Sequence, residues 1–283
     1  MTERSEGIKG HAPVVTFSDE GGLVTVLSLV RRVVLLLAVP VILFWAWWLA
    51  TAHSTDFFWP PLRQILGTFD DTWFHGRLTG DVLPSLLRLL AGYALALVLG
   101  VGLGVAIGSV RVLRALLEPV LEFFRAIPSP VLVPILMLFA GIGNEMKILV
   151  IVSGCVWPIL LNTVEGVRAL DEVLSDTARC YRMRPHSRLV HLVLRGASPQ
   201  IAAGARQALS IGIILMVISE MFAASNGVGF TIIQFQRSFS IPQMWSGIIL
   251  LGLIGIALSA VFQVVEARVL SWYTGLRRAQ RKG

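Results

Sequence analysis

The chain has 283 residues, of which 55% are hydrophobic and only 14% are charged, and its mean hydropathy is +0.75. Because roughly a quarter of the residues of a soluble protein are charged, this composition excludes an ordinary soluble domain and predicts an integral membrane protein. The net charge of +7 does not indicate nucleic-acid binding, because the basic residues lie in particular loops without interleaved aromatic residues. The two cysteines and five histidines show no disulfide framework and no metal-ligand spacing, so no metal site is predicted.

The N-terminal region, residues 1–24, is polar and without periodicity, and we expect a disordered tail there, followed by a transmembrane domain over residues 25–283. The first apolar run, 33–52, has the length of roughly 20 residues that crosses a hydrocarbon core. Arg31 and Arg32 precede it and place the N-terminus in the cytoplasm by the positive-inside rule.

Further apolar segments complete a prediction of six transmembrane helices with both chain ends in the cytoplasm. The connections 53–82, 141–146 and 225–243 carry few cations and are expected outside, whereas Arg111 and Arg114 mark a short cytoplasmic turn. The five predicted spans after the first are 83–107, 116–140, 147–164, 202–224 and 244–270.

Glycines recur every fourth residue in the second span, at Gly100, Gly104 and Gly108. Small residues at this interval allow the backbones of two helices to approach closely within lipid. The partner helix could belong to the same chain or to a second copy, and the sequence leaves both interpretations open.

The third and fifth spans hold the candidate residues of a transport pathway. Prolines at membrane depth free backbone groups that need partners in protein or in a wet cavity, so Pro128, Pro130 and Pro134 favour a pathway-lining segment. Arg125, near the start of the third span, and Glu220, near the outer end of the fifth, are the candidate buried charges. Glu220 is equally compatible with a functional role and with structural pairing to a nearby donor.

The longest charged interruption of the apolar chain is 176–199, which carries five arginines and two histidines. Helical spacing before Pro185 predicts one charged and one apolar face, and Pro185 predicts a bend followed by a second helix. The apolar face would pack on the membrane bundle and the charged face would point to the cytoplasm; alternatively, the segment is a basic loop that only fixes topology. The predicted faces are Glu172, Asp176 and Arg179 on one side and Leu170, Leu174, Ala178 and Tyr181 on the other.

This segment resembles the cytoplasmic "EAA" loop of permeases from ATP-binding-cassette (ABC) importers, Glu-Ala-Ala, three residues, Gly, nine residues, Ile, one residue, Leu-Pro. Asp176, Thr177 and Ala178 fall on Glu-Ala-Ala, and Leu192 and Leu194 fall on the Ile and Leu. The chain departs from the pattern in having Asp176 for Glu, Arg182 for Gly and Arg195 for Pro.

Three further stretches are similar to permeases of the nitrate, sulfonate and taurine importer subgroup. They are L-P-S-L-L-R-L-L-A-G-Y-A-L-A before the glycine run, F-F-R-A-I-P-S-P-V-L-V-P-I-L-M-L-F-A-G-I-G, and I-S-E-M-F-A-A-S-N-G-V-G-F. The matches are ordered and cover about residues 80–275, so the chain is identified as a member of this family.

The resemblance implies an all-α integral membrane fold of about six transmembrane helices, the type I ABC importer domain, with a coupling-helix loop at about 165–200. It implies a multi-pass permease of the bacterial inner membrane, a second, identical permease copy that forms a homodimer with it, two cytoplasmic ATPases, and a periplasmic or lipid-anchored binding protein. ATP and magnesium would bind in the ATPases, since the chain has no G-x-x-x-x-G-K-[ST] loop and is not itself expected to be an enzyme. The implied coupling residues are Asp176, Thr177, Ala178, Arg179, Arg182, Arg184, Arg188, His191 and Arg195.

The departures from the loop pattern carry expectations of their own. Asp176 would pair with a basic residue of the ATPase, through a side chain one methylene shorter than the family's Glu. Because Arg182 adopts a positive φ only at a cost, we expect the bend to shift towards 183–185. Arg195 in place of Pro would extend the second helix. 

A channel or secondary transporter without an ATPase is the alternative function, and would require inverted repeats or an intramembrane charge relay. No convincing internal repeat is present. The substrate stays open between small oxyanions, organosulfonates and neutral or aromatic nutrients.

Overall fold

The structure is a computed structural model that describes residues 38–273 and residue 275. All regular elements within these residues are helical, as expected from the apolar runs. In chain order the helices are α1 (Ala38–Thr51), α2 (Leu62–Trp73), α3 (Leu83–Ser109), α4 (Arg111–Ala126), α5 (Leu132–Ala140), α6 (Asn144–Arg168), α7 (Glu172–Cys180), α8 (Pro185–Arg188), α9 (Arg195–Ala223), α10 (Val228–Arg237) and α11 (Ile241–Val269). 

Four of the helical stretches are long and apolar enough to cross a membrane: Leu78–Ser109, Asn144–Arg168, Pro185–Phe222 and Ile241–Val269. Helices α4 and α5 form a further candidate span that bends by 73°, at the predicted proline-rich break. Within the first predicted span, 33–52, the structure has the shorter apolar helix α1. Residues 33–37 of that span and the predicted tail 1–24 lie outside the described residues. The predicted all-helical membrane fold is confirmed.

Several predicted boundaries are wrong because short amphipathic segments resemble loops in sequence. Arg111 and Arg114 do not form a turn but lie in the first turns of α4, and α6 begins at Asn144 inside the predicted loop 141–146. The predicted loops 53–82 and 225–243 contain α2 and α10. Polar residues interleaved at helical spacing lower their mean hydropathy, so a search for apolar runs misses both helices.

The core lies around α6, which packs along α3 on one side and along α9 on the other. Buried apolar side chains from all three helices form one cluster, to which α5 adds Val133. The fully buried members include Leu89 of α3, Ile151 and Ile159 of α6, and Met216 of α9. Helix α7 lies at one end of this bundle and α10 at the other; we refer to them as the α7 end and the α10 end.

A second apolar cluster closes the α10 end. Trp73 of α2 packs with Val228 and Ile232 of α10, and its indole N–H donates to the hydroxyl of Ser246 in α11 at 3.0 Å. The buried indole therefore has the hydrogen-bond partner that its polar atom requires. Helices α2 and α10, which the sequence analysis did not predict, thus hold α11 against the bundle.

Gly100, Gly104 and Gly108 of α3 face α6 of the same chain. A Cβ atom on Gly104 would lie 2.6 Å from the Cβ of Thr163 and 2.9 Å from the carbonyl oxygen of Leu160, and one on Gly100 would lie 2.8 Å from Ile159. These distances leave no room for a side chain, so the close approach of α3 to α6 depends on glycine. The intrachain interpretation of the glycine run is confirmed.

A methyl group at Gly104 is expected to destabilise the protein. Gly104→Ala should lower the free energy of unfolding by about 1–3 kcal/mol, because α3 and α6 must move apart to accept the methyl group. The matched control is Gly102→Ala in the same helix, where an added Cβ meets nothing within 4 Å, and which should raise stability by about 0.4–1 kcal/mol. Thermal unfolding in detergent measures both, and equal shifts for the two variants would contradict the packing argument.

Candidate functional site

The predicted coupling loop begins with the short helix α7 at one end of the bundle. Asp171 caps it, because its carboxylate accepts a hydrogen bond from the Val173 N–H at 2.9 Å. At the other end, the Met183 N–H donates to the Ala178 carbonyl at 3.0 Å and the Arg182 N–H donates to Arg179 at 2.9 Å. This bond pair is a Schellman motif, which ends a helix with one left-handed residue.

The left-handed residue is Arg182, with φ of 48°. The expectation that arginine would avoid a positive φ and shift the bend towards 183–185 is therefore wrong. Arg182 occupies the position at which the resembled loop pattern has Gly, and the two hydrogen bonds of the Schellman motif offset part of the conformational cost, which is roughly 1–2 kcal/mol for a residue with a Cβ atom.

The second half of the loop is continuous with a transmembrane helix. Arg184 is extended, with ψ of 142°, and Pro185 opens a helix as predicted. That helix passes through a π-helical stretch, Leu189–Leu194, directly into α9, so the expected second short helix is the N-terminal extension of a span. Arg195 lies within it, as expected for an extended helix, and its guanidinium sits 5.4 Å from the ring centre of Trp272. The extension and α9 therefore form one continuous helix.

The faces of α7 are arranged differently from the prediction. Of the four residues expected to pack on the bundle, Ala178 is buried and Leu170 is half-buried, but Leu174 and Tyr181 are 53% and 81% exposed. Val173 adds a further exposed apolar side chain, 69% accessible. The exposed apolar face of α7, which we define as Val173, Leu174 and Tyr181, is left without a partner among the described residues.

The charged face of α7 is held by ion pairs. Glu172 pairs with Arg111 of α4 at 3.0 Å, and Asp176 pairs with Arg179 at 3.2 Å, both between exposed side chains. The Thr177 hydroxyl donates to the Val173 carbonyl within the helix at 2.7 Å. The other predicted coupling residues are exposed, namely Arg184, His191 and Arg195, except for Arg188, which is half-buried.

The proline-rich break between α4 and α5 lines a cleft of about 480 Å³, with Pro128 and Pro130 on its wall and Arg125 among its lining residues. Pro134 is exposed and is not among the residues lining that cleft. Arg125 is not the buried charge that the sequence suggested: its side chain is 57% exposed and pairs with Glu122 at 2.6 Å. Whether these residues line a pathway stays a prediction.

Glu220 is fully buried at the α10 end and is paired. Its carboxylate contacts the Arg88 guanidinium at 2.8 Å and accepts hydrogen bonds from the Ser85 hydroxyl at 2.7 Å and from the Gly229 N–H at 3.0 Å. The Ser85 hydroxyl in turn accepts from the Val228 N–H at 3.0 Å. The structure thus favours structural pairing for Glu220.

Arg88 connects this carboxylate to two further elements. Its Nε donates to Asn144 at the start of α6 at 2.8 Å, and its Nη2 donates to Asn226 in the turn before α10 at 2.5 Å. Asp81 holds the same turn by accepting from the Gly227 N–H at 2.9 Å. We call this set the Arg88–Glu220 network. The sequence analysis missed Arg88, although a single arginine within an otherwise apolar stretch is the signal by which a buried charge can be found.

One group of potential metal ligands is brought together near the end of α2. Asp70, Asp71 and His75 place ligand atoms within 4.8 Å of one another, and all three side chains are exposed. Exposed acidic groups often cluster without a metal, and the expectation of no metal site stays a prediction.

The sequence of the chain matches a known protein family and several of its relatives. A family model described as the binding-protein-dependent transport system inner membrane component matches residues 96–271. The taurine transport system permease protein TauC of Escherichia coli is 27% identical over 256 residues, which cover 86% of this chain and 91% of TauC. The bicarbonate transport system permease protein CmpB of Synechococcus elongatus is 31% identical over 179 residues, 63% of this chain and 64% of CmpB.

A solved structure shares the fold. The chain resembles an inward-facing conformation of the MetNI methionine ABC transporter with a TM-score of 0.58 and 19% identity, covering 68% of this chain and 95% of that chain. At this identity the likeness establishes the arrangement of helices alone.

Proposed function

Because the chain belongs to the family of binding-protein-dependent transport system inner membrane components, and is thus a transport permease rather than an enzyme, we propose that it carries one half of the pathway of an ATP-driven importer. A second copy of the chain supplies the other half. An external binding protein delivers the substrate, and two cytoplasmic ABC ATPases bind ATP and magnesium and drive the cycle. The α7 end and both chain ends would then face the cytoplasm, on the side of the ATPases.

The observation that carries this proposal is the exposed apolar face of α7 beside a helix that continues into a span. Apolar side chains clustered on a surface outside the spans mark a site of protein contact. An ATPase bound to Val173, Leu174 and Tyr181 would move α7, and the extension of α9 that follows it would pass that movement into the membrane. Asp176, two-thirds exposed beside Arg179, would contribute the charged contact at the edge of this face.

The names of the relatives support a proposal about the substrate class. TauC is named for taurine and CmpB for bicarbonate, which are both small and both carry an anionic oxygen group. We propose that the substrate of this importer is likewise a small nutrient with an anionic group, such as a sulfonate, nitrate or bicarbonate.

Co-purification with an ATPase tests the proposal. The full chain is expected to form a stable complex with its ABC ATPase in detergent, and to couple ATP hydrolysis to substrate uptake in liposomes. Asp176→Ala should lower uptake per ATP hydrolysed while expression stays normal. The matched control is Asp71→Ala, the same substitution at an exposed site in α2, which should leave coupling unchanged. A folded permease that binds no ATPase and still transports would support a channel or secondary transporter instead.

A further inference from the structure

An arginine-rich cavity of about 810 Å³ lies at the α7 end, bordered by the end of α3, the start of α4, the end of α6, and helices α7 and α8. Its lining side chains include five arginines but only two acids, which leaves an excess of three positive charges. The charged lining residues are Arg111, Arg114, Arg168, Arg179, Arg188, Glu172 and Asp176.

The ion pairs around the cavity leave two of these arginines uncompensated. Arg111 forms an ion pair with Glu172, Arg179 with Asp176, and Arg168 with Glu165 at 3.5 Å. Arg114 and Arg188 are half-buried, and no carboxylate of the described residues lies within 4.0 Å of either guanidinium. 

Arg114 also borders a smaller cavity of about 170 Å³ that Glu118, Glu122 and Glu165 line. Two of these acids form ion pairs with other arginines: Glu122 pairs with Arg125, and Glu165 pairs with Arg168. They therefore reduce the positive potential at Arg114 without neutralising its guanidinium by direct contact.

Two half-buried guanidinium groups without carboxylate partners favour an anion with several oxygens. The planar fork of arginine matches phosphate oxygens in pairs, and such charge-assisted hydrogen bonds are stronger than those between neutral groups. The cavity also lies where two spans end, at Ser109 of α3 and Arg168 of α6, which is the depth at which basic pockets between helices bind anionic lipid headgroups.

We propose that this cavity binds a phosphate-bearing anion through Arg114 and Arg188, with the headgroup of an anionic phospholipid as the first source and a soluble phosphate compound as the second. The inference rests on the proposed function only for placing the cavity at the cytoplasmic surface. Because Ser175, Asp176 and Arg179 of α7 form one wall, an anion bound there contacts the charged side of α7.

Ligand-dependent thermal unfolding of the full chain in detergent tests the site without any ATPase. A short-chain phosphatidylglycerol should raise the unfolding midpoint, and a short-chain phosphatidylcholine of equal length should not. Arg114→Gln combined with Arg188→Gln should lower the affinity for phosphatidylglycerol, taken from the ligand dependence of the midpoint, by roughly tenfold or more, because charge-assisted hydrogen bonds are lost. The control is Arg63→Gln combined with Arg237→Gln, two exposed arginines in α2 and α10, which should leave the effect unchanged.

Inorganic pyrophosphate distinguishes the two sources. Stabilisation by phosphatidylglycerol alone identifies a lipid headgroup site, and stabilisation by pyrophosphate that needs the same two arginines identifies a site for soluble phosphate compounds. Stabilisation by neither, or binding that the double variant retains, overturns the proposal. Since the chain is tested alone, failure to capture an ATPase would contradict the proposed function and leave this result intact. If the double variant instead binds phosphatidylglycerol normally but loses the ATPase, the cavity belongs to the subunit contact and the anion site is refuted.

Discussion

Arg88→Met is expected to reduce the amount of folded permease far more than the same substitution of an exposed arginine. Removal of the guanidinium leaves the fully buried Glu220 carboxylate without its ion-pair partner. Breaking a buried ion pair in this way costs about 3–5 kcal/mol, because an uncompensated charge remains in a medium of low polarity. The change also removes the N–H groups that donate hydrogen bonds to Asn144 and Asn226, so the start of α6 and the turn before α10 each lose a contact.

The measurement is the fraction of monodisperse protein and its unfolding midpoint in detergent. Arg125→Met is the matched control, since the Arg125–Glu122 pair has a shorter distance of 2.6 Å but is more than half exposed, and exposed pairs contribute about 0–1 kcal/mol. The double variant Arg88→Met with Glu220→Gln should recover part of the loss, because the buried carboxylate is replaced by a neutral amide. Equal shifts for the Arg88 and Arg125 single variants would show that burial does not decide the strength of these pairs.

The contrast between these two arginines shows what the sequence could predict. Apolar runs of membrane length predicted the spans because lipid imposes length and composition on each helix separately. The glycine interval likewise predicted close packing from one helix alone. The Arg88–Glu220 pair joins residues 132 positions apart, and periodicity within a helix carries no information on such a pairing. Arg125 is an ionisable residue within the predicted span 116–140 and was therefore a candidate buried charge, yet its side chain is more than half exposed and pairs with Glu122 three residues away.

The resemblance to ABC importer permeases is confirmed by the family match, although the EAA-like loop departs at three positions. The structure accommodates two of these departures within the local backbone. Arg182 adopts the positive φ of a Schellman motif, and Arg195 continues the helix where Pro would remove a backbone donor. Hydrogen bonds between backbone groups define the turn at Arg182, so this chain forms it with a residue that the resembled pattern does not have.

The direction in which α7 faces could not have been read from its sequence. Leu174, Ala178 and Tyr181 recur at helical spacing, and the same pattern arises whether a helix packs on its own bundle or on a partner. The structure separates the two cases, since Ala178 is buried at 6% exposure whereas Tyr181 is 81% exposed. Burial of the small residue and exposure of the large ones indicate that the greater apolar area of α7 is available to another protein.

Tyr181→Asp is accordingly expected to abolish productive association with the ATPase while leaving the permease itself folded. A charge at the centre of an apolar contact must be desolvated without a partner, and truncation of a central aromatic side chain commonly costs about 2 kcal/mol or more in binding. The same substitution should change the free energy of unfolding of the permease by no more than about 0.5 kcal/mol, because the side chain is surface-exposed and makes no packing contact that the fold needs.

Binding of the purified ATPase to the permease in detergent measures the first effect, and thermal unfolding measures the second. Tyr181→Phe is the matched control, since it keeps the ring and should retain at least most of the affinity and all of the uptake. Leu174→Asp, on the same face, should reproduce the loss. If Tyr181→Asp binds the ATPase as tightly as the unmodified chain, the ATPase docks elsewhere on the α7 end. The charged side of the helix, with Asp176 and Arg179, is then the contact surface to test.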